Sequence, residues 1–90
     1  MSVYSILTLD LNDNVSSTQR ESFYKALAEL QWRRISEMTT LWYATWKDDA
    51  THDGIVKTTK EDVAKAAKQA GIESYDASVA PCLKPYVWKA

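Results

Sequence analysis

The sequence predicts an α+β fold, a four-stranded antiparallel sheet with two helices on one face in the order βαββαβ. Two segments, residues 3–11 and 41–46, alternate apolar and polar side chains with the two-residue period of a half-buried strand. Two others carry apolar residues at i, i+3, i+4 and i+7 behind hydroxyl-bearing cap candidates, the pattern of an amphipathic helix. Only two Gly and two Pro occur in 90 residues, which leaves little room for anything but regular elements.

In the first segment Val3, Leu7, Leu9 and Leu11 fall on one side and Tyr4, Ile6, Thr8 and Asp10 on the other. Asn12-Asp13-Asn14 ends it, because short polar side chains compete for backbone hydrogen bonds and favour turns. Ser16 with Gln19, or Thr18 with Glu21, has the spacing of a capping box, and the helix it opens turns Phe23, Ala26, Leu27 and Leu30 inward. From Trp32 the period returns to two, with Arg33, Ile35 and Glu37 opposed to Trp32, Arg34, Ser36 and Met38. With the stretch Leu41 to Trp46 this predicts a hairpin whose turn falls near Met38-Thr39-Thr40.

Residues 47–54 are polar and predict an exposed connection. Thr58 with Glu61, or Thr59 with Asp62, is then expected to cap a second helix whose inner face is Val63, Ala66, Ala67 and Ala70, with Gly71 ending it. The weaker alternation of Ser74 to Ala80 predicts a last strand terminated by Pro81. Leu83 to Trp88 is too aromatic for open solvent and is expected to pack, as an extra C-terminal edge strand or on a partner.

A chain this short buries only about two-thirds of its unfolded surface and cannot split its apolar residues between two cores, so residues 1–90 are read as a single domain. Its net charge of −1 supplies no global positive field to recruit a phosphate backbone. One cysteine, Cys82, cannot form an intrachain disulfide, and the first residues lack the basic and apolar regions of a signal peptide. Cytoplasmic localisation is the expectation, and no apolar run approaches the roughly 20 residues that span a bilayer.

Both helices of this element order fall on one side of the sheet. Tyr4 and Ile6, with one side of the 41–46 strand, then stand on a face that no helix of the chain covers. A second copy of the chain is the simplest cover, which predicts a homodimer through the sheet face.

Few residues are candidates for chemistry. Asp10, at the C-terminal end of the first strand, is placed to ligate Mg²⁺ or Mn²⁺, although the Asx residues after it are also ordinary turn chemistry. Arg33 and Arg34, with Lys47 near the far end of the hairpin, form the cationic grouping beside the sheet, and arginine holds phosphate bidentately. Lys57, Lys60, Lys65 and Lys68 read as a solvated helical face. His52 has no second His or Cys to complete a zinc site. Cys82 reads as a packed small hydrophobe, and Trp32, Trp42, Trp46 and Trp88 as core or interface anchors.

The stretches Tyr4-Ser5-Ile6-Leu7-Thr8-Leu9-Asp10-Leu11, Ala26-Leu27-Ala28-Glu29-Leu30, Arg33-Arg34-Ile35-Ser36 and Leu41-Trp42-Tyr43-Ala44 together resemble the small CRISPR-associated ferredoxin-like nuclease family. That family includes the dimeric partner of the spacer integrase and has toxin and antitoxin relatives. The resemblance covers the first half of the chain in pattern and the rest in element order. It implies a ferredoxin-like homodimer in which the first-strand aspartates, here Asp10, hold a divalent metal that activates water against a phosphodiester of RNA or DNA. An arginine commonly opens the second strand there, the place of Arg33 or Arg34, whereas Ser36-Glu37-Met38 departs from the polar residues that usually follow. The competing expectations are a non-catalytic dimeric interaction module, such as an antitoxin or regulator, and a sheet face that stacks single-stranded RNA.

Overall fold

In β1 (Val3–Leu11) the two-residue period of the sequence becomes the period of burial. Ser5, Leu7, Leu9 and Leu11 are buried, Thr8 and Asp10 are exposed, and Tyr4 and Ile6 are half-buried. The structure, a computed structural model, describes residues 3–11, 14–35 and 40–82.

α1 (Ser17–Glu29) starts at the first of the two predicted boxes. The Gln19 amide donates to Ser16 Oγ at 3.1 Å and the Ser16 amide to Gln19 Oε1 at 3.0 Å, so each residue satisfies a backbone donor of the other. Phe23, Ala26 and Leu27 are buried, and fully burying a side chain such as Leu27 is worth about 1.5–3 kcal/mol. The helix ends through Gln31, whose φ of 76° is left-handed. That turn lets the Gln31 amide reach the Ala28 carbonyl at 3.1 Å and the Trp32 amide reach the Leu27 carbonyl at 3.0 Å.

The hairpin forms, and its first arm is described as far as Ile35, whose amide donates to the Leu41 carbonyl at 3.0 Å. β2 (Arg33–Arg34) sets Arg33 against Tyr43 and Arg34 against Trp42 of β3 (Leu41–Trp46). Residues 36–39, most of the predicted turn, lie outside the described residues.

α2 (His52–Ala70) corrects the predicted start of the second helix. Its N-cap is Thr51, whose hydroxyl accepts the Gly54 amide at 3.0 Å. Thr59, expected as a cap, is instead buried mid-helix, and its hydroxyl donates to the Ile55 carbonyl at 2.7 Å. Residues 47–51 form the connection expected there, and only His52, Asp53 and Gly54 of that polar run belong to the exposed first turn of the helix, whose inner face begins with Ile55. Gly71 ends the helix as predicted, at φ 71°.

β4 (Tyr75–Cys82) corrects the predicted stop at Pro81, which lies within the strand opposite Ser5. Proline is tolerated because β4 is the edge among the described strands, where alternate N–H groups face away from the ladder. Residues 83–90, the expected extra edge strand, lie outside the described residues.

The sheet is antiparallel throughout, in the order β2-β3-β1-β4, an α+β arrangement consistent with the ferredoxin-like fold. Both helices supply residues to one core, with Leu7, Leu9 and Leu11 of β1, Trp42 and Ala44 of β3, Phe23 and Leu27 of α1, and Val63, Ala66 and Ala67 of α2. The three described indoles lie on this helix side. Trp32 is 1% exposed, donates to Asp62 Oδ2 at 3.0 Å and meets Trp46 edge to face. Trp46 donates to Ser5 Oγ at 2.7 Å, which gives a fully buried hydroxyl its partner. No described helix is long and apolar enough to cross a membrane.

Candidate functional site

Residues directly opposite in an antiparallel pair share a face, so the register maps the side of the sheet away from the helices. One row holds Thr45, Tyr4 and Cys82, the next Tyr43, Ile6 and Ala80, the next Leu41, Thr8 and Ser78, and the last Asp10 and Asp76. The face is therefore divided. Tyr4 and Tyr43 touch, with ring centroids 6.4 Å apart, and with Ile6 and Leu41 make a half-buried apolar zone. Beyond it the rows turn polar and end in two exposed carboxylates. None of the three described indoles stands on this face; among the described residues the rings available there are the two tyrosines.

Sequence reasoning found Asp10 but not Asp76, because only the register of β1 against β4 places the second carboxylate directly opposite the first. Side chains so placed have Cβ atoms about 4.5–5.5 Å apart, and like charges there are destabilising. Two carboxylates with the Thr8 and Ser78 hydroxyls one row away form an all-oxygen donor set. That chemistry suits Mg²⁺ or Mn²⁺, which bind through one or two carboxylates and keep several waters. Among the described residues no three His, Cys, Asp or Glu side chains converge.

The two arginines do not join Asp10. Arg33 pairs with Tyr43, which pairs with Ile6, so Asp10 lies two strands away and four residues, about 13 Å, further along the sheet. Arg33 Nη1 donates to the Trp32 carbonyl at 3.1 Å and to the Ala28 carbonyl at 3.3 Å, which brings the cation to the C-terminal end of α1, where the helix dipole favours it. Arg34 has the opposite parity and lies on the helix side, its guanidinium carbon 5.4 Å from the Tyr24 ring centroid and 5.5 Å from that of Trp42. Tyr24 carried no sequence signal for a site, because its role depends on the strand that α1 packs beside. Lys47 follows the far end of β3, four residues or about 13 Å along from Tyr43, and stands apart from both arginines.

Two grooves flank the sheet on the helix side. One, of about 400 Å³, runs between α1 and the β2 edge, lined by Tyr24, Lys25, Arg33, Arg34 and Trp42 among others. The second, of about 420 Å³, opens between α2 and β4 over Leu7, Val63 and Val79. His52 is an exposed residue of the first turn of α2, its Nδ1 3.7 Å from Asp53 Oδ1. Burial pushes the Cys82 thiol up from its ordinary 9.0, which disfavours the thiolate a nucleophile needs.

No family model matches this chain, and no curated protein and no solved structure matches it.

Proposed function

We propose that the chain is a divalent-metal-dependent phosphodiesterase of the nuclease type, acting as a homodimer paired through the open sheet face. What carries this is the Asp10–Asp76 pair, two exposed carboxylates held in one row by the ladder. Their mutual repulsion is relieved by a cation between them. Asp10 and Asp76 would hold Mg²⁺ or Mn²⁺, and a metal bound there supplies an activated water and a Lewis acid for a phosphodiester of RNA or DNA. The hydroxyls of Thr8 and Ser78 are placed to hydrogen-bond the metal's waters. Arg33 and Arg34, remote from the carboxylates, would hold substrate away from the reacting bond.

The test is cleavage of labelled RNA and duplex DNA by the purified chain with Mg²⁺ or Mn²⁺. Cleavage is expected to stop on adding EDTA and to fall to background in Asp10→Asn and in Asp76→Asn. A wild-type chain that cuts nothing, or an Asp10→Asn chain that cuts normally, overturns the proposal. A second reading is supported by the apolar zone of Tyr4, Ile6, Leu41 and Tyr43: a non-catalytic dimeric interaction module, such as an antitoxin or regulator. A dimer with no metal-dependent cleavage is the outcome that favours it.

A further inference from the structure

The groove between α1 and the β2 edge gathers three cations, Lys25, Arg33 and Arg34, and one carboxylate, Glu21, around aromatic side chains, in a chain whose net charge is −1. The Arg34 guanidinium lies over both Tyr24 and Trp42, whose ring centroids are 5.5 Å apart. Interaction with two ring faces restrains the group without using its donors. The Arg34 guanidinium makes no hydrogen bond or ion pair with the described residues, so its five N–H groups are open to an acceptor. Arg33, of opposite parity, also lines the groove, restrained by the Ala28 and Trp32 carbonyls. Long cationic side chains ordinarily lose rotamer freedom on binding, and here both guanidinia are already held.

We infer that this groove binds one nucleotide unit of single-stranded nucleic acid. Its phosphate is taken by the fork of Arg34, with Arg33 and Lys25 adding charge, and its base lies against the guanidinium plane and the half-buried Tyr24 ring. A fixed guanidinium fork matches two phosphate oxygens. A carboxylate of an acidic peptide matches the same fork but brings no planar group for the aromatic wall, whereas a nucleotide brings both parts. A groove of about 400 Å³ is of the size that holds a small ligand. The inference goes beyond the nuclease proposal: it requires no metal and concerns a surface remote from Asp10.

The experiment measures fluorescence anisotropy of a short labelled oligouridylate on the full chain in EDTA, so that cleavage plays no part and failure here leaves the carboxylate proposal untouched. Binding is expected to weaken with salt, with a log–log slope of about −0.7 for the one phosphate neutralised on a single strand. Arg34→Lys keeps the charge but loses the fork, and is expected to weaken binding about tenfold. Lys57→Ala, an exposed change on α2, is expected to leave it unaltered. Uridine monophosphate is expected to compete more strongly than inorganic phosphate, and a glutamate-rich peptide hardly at all. In the ¹⁵N spectrum the Arg34 Nε–Hε signal is expected to shift on adding oligonucleotide. An unshifted signal, an Arg34→Lys chain that binds as well as wild type, or a peptide that competes as well as the nucleotide would overturn the inference.

Discussion

At the scale of single residues, the two helices end in the same motif built on different side chains. After α1 the left-handed residue is Gln31 at φ 76°, and after α2 it is Gly71 at φ 71°. In both, the next residue returns its amide to the helix, Trp32 to Leu27 at 3.0 Å and Ile72 to Ala67 at 2.9 Å. A left-handed conformation costs a residue with a Cβ about 1–2 kcal/mol, and glycine nothing comparable. Gln31→Gly is therefore expected to stabilise the chain by roughly 0.5–1 kcal/mol, the strain relieved outweighing the extra freedom of glycine in the unfolded state. Gly71→Ala is expected to destabilise it by about 1 kcal/mol. A Cβ at Gly71 would meet only Gln19 Nε2 at 3.6 Å, an ordinary contact, so that cost is purely conformational. Urea titrations of both variants check the two signs, and a destabilised Gln31→Gly would mean that the Gln31 side chain does more than fill the turn.

Among the elements, α2 shows how a helix can begin inside a run that reads as loop. Asp53 in its first turn suits the positive end of the helix dipole, and Lys68 in its last turn suits the negative end. Gly54 belongs there for a local reason, since a Cβ at that position would lie 2.9 Å from Thr51 Oγ1 and displace the capping hydroxyl. Replacing the true cap should matter, and replacing Thr58, one of the two predicted from spacing, should not. Thr51→Ala is expected to cost about 1 kcal/mol, and Thr58→Ala, mid-helix, less than about 0.5 kcal/mol. Thermal melts followed by circular dichroism measure both, and equal losses would place the cap elsewhere.

For the whole molecule the decisive property is asymmetry between the two sides of the sheet. The helix side takes the buried leucines of β1 and the three described indoles, while the other side keeps Tyr4, Ile6, Leu41 and Tyr43 half-buried and Asp10 and Asp76 exposed. Pairing through the apolar zone predicts a dimer in sedimentation. Ile6→Lys, at the centre of that zone, is expected to yield a monomer with a nearly unchanged melting transition, because Ile6 lies outside the buried core. A wild-type monomer, or a lysine variant that still dimerises, removes the pairing and leaves the carboxylates to be tested alone.

From residues alone came the element order, the two faces of β1, the bounds of β3, the box at Ser16 and Gln19 as one of two candidates, the inner face of α1, the later part of that of α2 and the stop at Gly71. All of these are local, set by periodicities of two and 3.6 or by caps within four residues. The start of α2 and the place of Pro81 escaped that reading, because burial of Ile55 and the edge position of β4 are properties of packing and not of composition. The site divides the same way. Asp10, Arg33 and Arg34 are visible as candidates in the sequence, but their neighbours are not: Asp76 stands beside Asp10, and Tyr24 beneath Arg34, through register and helix packing between segments far apart in the chain. Side-chain chemistry is written at each position, whereas which chemistries meet is decided when the strands pair.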